Sequence, residues 1–211
     1  SPNLCVWIAP IRFSRFHPIG HPNSKSGKDL KVIVDGWAER ASMIGWRTYN
    51  YNLAEVIVPF SKLTVWSHDL PYLHQKGCVG VSLESFNTWE LSAPHLYQSI
   101  RLGYDPRLDP WEIVADYWDK FYGPAAAPME KYWMEIDQTF CNLATEVGSV
   151  HSLPYVYTPE RMKQLDASLQ EAEKIVKDQP EYQYRVNLAR RGFQRATFWR
   201  TYYDAMNKGD F

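Results

Sequence analysis

Three short apolar runs in this chain each hand over to polar or aromatic residues with the chemistry to contact a ligand. Leu4-Cys5-Val6-Trp7-Ile8-Ala9-Pro10 is followed by Arg12, His17 and His21. Trp46-Arg47-Thr48-Tyr49 leads into Asn50, Tyr51, Asn52 and Glu55. Cys78-Val79-Gly80-Val81-Ser82-Leu83 ends on Glu84, with Ser85, Asn87, Trp89 and Glu90 behind it. Glu84 is the sharpest of these. A carboxylate that closes a buried strand must be solvated, paired with a cation or bound to a ligand, since burying it alone is costly. The bland alternative is a salt bridge to Arg12 or Arg47. Tyr51 can donate to a carbonyl, carboxylate or ring oxygen, against the alternative of plain core packing. Asn50 and Asn52 suit sugar hydroxyls and equally suit loop capping.

Other chemistries find little support. His17 and His21 straddle Pro18-Ile19-Gly20 and share no helix face, so no metal site is expected there. His68-Asp69 is expected at the surface, with no Ser or Cys in a nucleophile context nearby. Gly77 and Gly80 flank a strand without the spacing of a phosphate loop. Cys5, Cys78 and Cys141 are widely spaced and form no CxxC or Cys/His pattern, which marks them as small apolar residues. Arg185, Arg190, Arg191, Arg195 and Arg200 fall mostly off an apolar helical stripe, as on a solvated helix face. No cofactor is expected.

Composition is that of a globular chain able to bury one sizeable core: 211 residues, 45% hydrophobic and 22% charged. A formal net charge of −1 offers nothing to a nucleic acid or an anionic membrane. No apolar run approaches the roughly 18–20 residues of a bilayer span. Aromatic content stands out. Nine Trp, fourteen Tyr and nine Phe make up 15% of the chain, and Trp and Tyr pair a flat apolar face with a polar tip, which suits stacking on sugars.

The elements that must position these residues follow from periodicity. The apolar runs read as strands. Leu30, Ile33, Val34, Trp37, Ala41 and Ile44 form a helical stripe, and a second helix is expected near Lys62–Lys76. The order strand, helix, strand, helix, strand points to parallel crossovers. The remainder reads as helical. Pro94 opens a helix through Leu102; Asp109-Pro110-Trp111-Glu112 has a helix-start pattern; another helix runs from Pro128 past Phe140. Two stripes broken at Asp178-Gln179-Pro180 predict an antiparallel helical hairpin.

Several words in order carry a resemblance: Ala9-Pro10-Ile11-Arg12 with His17-Pro18, Gly36-Trp37, Tyr49-Asn50-Tyr51, Pro59-Phe60, Gly77-Cys78-Val79-Gly80-Val81, and Phe121-Tyr122-Gly123-Pro124-Ala125-Ala126. Over roughly Leu4 to Glu146 the chain resembles a bacterial domain-of-unknown-function family (number 4838) grouped with the glycoside-hydrolase barrels, related to hexosaminidases and α-glucuronidases. The resemblance implies an α/β fold in which 1–105 is the C-terminal part of a (β/α)8 barrel, its last three strands, followed by a helical region over 106–211. It implies a carbohydrate-active protein, secreted or periplasmic, that hydrolyses glycosidic bonds in oligo- or polysaccharides. A non-catalytic carbohydrate-binding protein on the same scaffold is the alternative. Ligands of such barrels meet the C-terminal strand ends. The sugar-contacting set is therefore expected to be Glu84, Tyr51, Trp89, Asn50, Asn52, Arg12 and His17, with the acid/base carboxylates on an N-terminal part preceding Ser1.

Overall fold

In the computed structural model, which describes residues 3–52, 56–86, 88–144, 146 and 152–209, the three apolar runs form a parallel sheet. Strands β1 (Cys5–Ile8), β2 (Met43–Tyr49) and β3 (Cys78–Glu84) pair in the order β1-β2-β3. Helices α1 (Lys25–Ala38) and α2 (Leu63–Gln75) make the crossovers. Ser24 caps α1 by accepting from the Gly27 N–H at 2.9 Å.

The helical stripe read from Leu30 to Ile44 ends short, at Ala38. Ile44 keeps the helical rhythm by coincidence. It pairs with Val6 on one side and Cys78 on the other, and burying it in the sheet outweighs any local preference. On β3 the register slips between Ile44–Cys78 and Gly45–Gly80, so Val79 is an extra, exposed residue.

The two faces of the sheet differ. Ile8, Ile44 and Trp46 pack against Leu30 and Val34 of α1 and against Val65, Trp66 and Leu70 of α2. The opposite face carries Trp7, Arg47, Ser82 and Glu84, with Trp7 half exposed. Trp7 can lie flat there because its neighbour is Gly45: a Cβ at that position would stand 2.6 Å from the indole.

The remaining chain builds a helical layer. It contains α3 (Trp89–Tyr104), α4 (Pro110–Tyr117), α5 (Ala126–Cys141), the short α6 (Leu153–Val156), α7 (Pro159–Ile175) and α8 (Pro180–Lys208). Asp109 caps α4 by accepting from the Trp111 and Glu112 N–H groups, as its sequence pattern predicts. The predicted hairpin is α7–α8, fastened by Arg190, which grips both Asp166 and Glu173 of α7. Arg185, Arg195 and Arg200 also form ion pairs, with Glu181, Glu90 and Asp204. The arginine series thus ties helices as well as facing water. The helical core draws in Phe16, Phe60, Leu63 and Ala93, so packing runs across the 105/106 boundary.

The α/β class holds, but the barrel does not. The sheet is open: β1 and β3 each pair with β2 alone among the described residues, and its buried apolar side chains Ile8, Ile44 and Trp46 lie on one face. Closing a parallel barrel takes about eight tilted strands, and no described segment beyond Glu84 is a strand. The expectation of the last three strands of a (β/α)8 barrel is therefore corrected to a small open parallel sheet beside a dominant helical layer.

Helix α3 begins five residues before Pro94, at Trp89. Pro94 has no N–H to return to the Glu90 carbonyl, and Gly192 of α8 comes against that carbonyl so closely that a Cβ would lie 2.3 Å from its oxygen. Helix propensity favours Ala over Gly by about 1 kcal/mol, whereas forcing a methyl into packed backbone costs about 1–3 kcal/mol. Gly192→Ala is therefore expected to lower the urea midpoint. Gly36→Ala on α1, where the nearest atom would be 3.5 Å away at the end of Arg40, should raise it.

Candidate functional site

Glu84 and Tyr51 meet at the C-terminal rim of the open face. The Tyr51 hydroxyl donates to Glu84 Oε1 at 2.6 Å and Arg47 Nη2 donates to Oε2 at 3.0 Å. The salt-bridge alternative is thus realised through Arg47. Both charged side chains stay about half exposed, at 44% for Glu84 and 53% for Arg47, so the pair adds little stability. Burial, then the bond to Glu84, push the Tyr51 phenol up to about 12, which keeps it a donor throughout the physiological range. The exposed Phe86 ring lies 4.3 Å from Tyr51, and Tyr49 meets Tyr51 edge-on at 5.7 Å. Further down the same face Trp7 covers Gly45. Gly45 lies four positions from the Tyr49–Glu84 pair along β2, about 13 Å at 3.3 Å per residue.

Beneath this rim Asn50 is fully engaged. Its Oδ1 accepts from Trp66 Nε1 at 2.8 Å, and its Nδ2 faces Ser85 Oγ at 3.1 Å and Ser99 Oγ at 3.2 Å. Its backbone N–H extends the β2–β3 pairing to the Glu84 carbonyl, and its own carbonyl accepts from His95 Nε2 at 2.8 Å. Asn50 therefore supports the rim rather than facing a ligand. Asn52 is buried too.

The other expected residues are dispersed. His17 is buried, with Nε2 at 2.9 Å from the Leu143 carbonyl and Nδ1 at 2.8 Å from Ser14 Oγ. The carbonyl can only accept, so Nε2 carries the proton and Ser14 donates to Nδ1. Burial lowers the basicity of this ring. Arg12 is exposed in the loop after β1. Trp89 turns to the helical layer, where it shares a shallow cleft with Tyr97, Tyr117, Phe121 and Arg185. Glu90 is paired with Arg195 at 2.9 Å. Glu55 and Asn87 lie outside the described residues.

A second group near the strand ends escaped the sequence. Arg15, Lys62 and Asp69 are all buried. Lys62 Nζ donates to the Tyr49 carbonyl at 3.1 Å and sits 3.9 Å over the Trp66 ring, and burial holds its ammonium down to about 7. Asp69 Oδ1 accepts from the Ile19 N–H at 2.8 Å and faces His68 Nδ1 at 3.0 Å. Asp69 was expected at the surface. The available signal was a charged residue inside an apolar helical stretch, Leu63 to Leu70 for Asp69, and a lone lysine at its start. Among the described residues no cluster of three or more His, Cys, Asp or Glu side chains could hold a metal, and no described helix is long and apolar enough to cross a membrane.

His95 gives the site a pH dependence. It is fully buried, and burial depresses its ring from 6.5 to about 3. The unfolded chain then binds the proton more readily, so stability is full above about pH 6.5 and falls as pH drops toward 3. Urea midpoints measured across that window should fall more steeply for the wild type than for His95→Gln, whose amide keeps a donor for Asn50 without a proton to gain.

With the geometry in place, comparison with known proteins adds one finding. The profile described as "Domain of unknown function (DUF4838)" matches residues 1–135, which takes in the sheet, the rim and the helices through most of α5. No protein of curated function and no solved structure matches the chain.

Proposed function

For a chain that belongs to the DUF4838 family, whose description names no activity, we propose that the open rim around Glu84 contacts carbohydrate within a carbohydrate-active protein. One observation carries this: a half-exposed carboxylate held by Tyr51 and Arg47 beside exposed aromatic rings. Glu84 has both oxygens fixed in direction, yet each retains lone pairs for a further donor. Neighbouring sugar hydroxyls are such donors. Arg47 and Tyr51 add oppositely matched partners, and Phe86 and Trp7 offer flat apolar surface for the C–H faces of a pyranose.

In this reading Glu84 positions substrate and is not the group that transfers a proton. Cleavage of glycosidic bonds by an intact secreted or periplasmic protein is the activity that such a surface would serve. Binding without cleavage is the alternative, and the same surface supports it. A hydrogen bond to a charged acceptor is worth about 1.5–3 kcal/mol, and 1.4 kcal/mol is tenfold in affinity. On a glycan array followed by calorimetry, the chain should bind an oligosaccharide, Glu84→Gln should weaken it at least about tenfold, and Tyr51→Phe less. Unchanged glycan affinity in Glu84→Gln, with the variant folded, would remove this assignment.

A further inference from the structure

Where the loop after β1 meets the end of β2 and the start of α2, the fold encloses a cavity of about 20 Å³ that the Glu84 surface does not use. Ser14, Arg15, His17, Thr48, Lys62 and Asp69 form its polar wall. Such a volume holds one particle of about the size of a water molecule.

The balance of charge around it is uneven. Arg15 and Lys62 are both buried and both line the cavity. Asp69 lines the same cavity, and its Oδ1 is already engaged by the Ile19 N–H and by His68. Arg15 donates Nη2 to the Ile11 carbonyl at 2.9 Å, but its Nε, shut off from solvent, has no hydrogen-bond partner among the described residues. Lys62 gives one hydrogen to the Tyr49 carbonyl and presents its charge to Trp66, with hydrogens remaining. His17 closes the wall without offering a donor, since its Nε2–H is committed to Leu143 and its Nδ1 accepts from Ser14.

We propose that this cavity binds a single monovalent anion of halide size between Arg15 and Lys62. A water molecule would satisfy Nε but leave one of the two buried cations without a counter-charge, since Asp69 is the one carboxylate among the described residues lining the cavity. An anion answers both. A sugar carboxylate or a phosphate is too large for the volume. The bound ion ties the loop after β1 to the end of β2 and the start of α2. It also offsets the burial that holds Lys62 down to about 7. The site shares no residue with the carbohydrate surface and stands or falls apart from it.

The test compares thermal midpoints of the whole chain in sodium chloride and in sodium gluconate at equal ionic strength, so that general screening cancels. Chloride and bromide should raise the midpoint saturably, by about 3 °C, and gluconate should not. Lys62→Met keeps the apolar stem and should abolish the halide-specific rise, whereas Glu84→Gln should keep it. Crystals of the wild-type protein grown in bromide should show an anomalous peak between Arg15 and Lys62. Equal midpoints in chloride and gluconate, or a bromide crystal with only water in the cavity, would overturn the proposal. The bromide crystal decides the matter even if Lys62→Met fails to fold.

Discussion

One buried amide, that of Asn50, fixes where the end of the sheet sits relative to everything packed around it. Its backbone closes the last rung between β2 and β3, and its side chain reaches Trp66 on α2, Ser85 beyond β3 and Ser99 on α3. His95 of α3 completes the set from the other side of the same residue. A buried amide so connected has few alternative arrangements, because any shift strands several polar groups at once. Tyr51 follows Asn50 directly and Ser85 follows Glu84, so the phenol and the carboxylate inherit their separation from this network. The pair at the rim is thus anchored at its base.

The arrangement divides labour between two layers. Buried polar groups below the rim are matched chiefly by backbone and amide partners, while the groups above it are half exposed and only lightly paired. Parallel sheets are ordinarily covered on both faces. Here α1 and α2 cover one face, and the other presents Trp7, Arg47 and Glu84 to solvent. The helical layer compensates by supplying most of the apolar core, with α5, α7 and α8 enclosing residues such as Trp133, Leu169 and Ala196.

Much of this was legible in the sequence, for identifiable reasons. Cys78–Glu84 is apolar and β-branched and lies between a glycine turn and a polar loop, and it is a strand with those limits. Asp109 announces a helix start through local hydrogen bonds, which need no tertiary knowledge. Glu84 and Tyr51 were each legible as residues leaving an apolar run, and they meet because β2 and β3 pair side by side, whereas Trp89 turns to the helical layer. Barrel closure was read from a resemblance and not from any strand signal after Glu84, and it fails for that reason. Ile44 and the start of α3 were misplaced because pairing in one case, and the fit of Pro94 against α8 in the other, are long-range effects. Arg15 and Lys62 look like surface cations in a linear sequence. Only folding brings Tyr49, Trp66 and Asp69 around them.

The slipped register at the start of β3 has a bearing on how copies of the chain behave together. An outer parallel strand offers a row of unpaired amides to any neighbouring molecule, and a regular one is a template for edge-to-edge stacking. With Val79 bulged out between the Cys78 and Gly80 pairs, the donors and acceptors of that edge lose their even spacing. A second strand laid against it cannot keep step beyond the few residues after Gly80. The irregularity therefore interrupts the even template of that edge, at the one end of the strand that Asn50 does not hold.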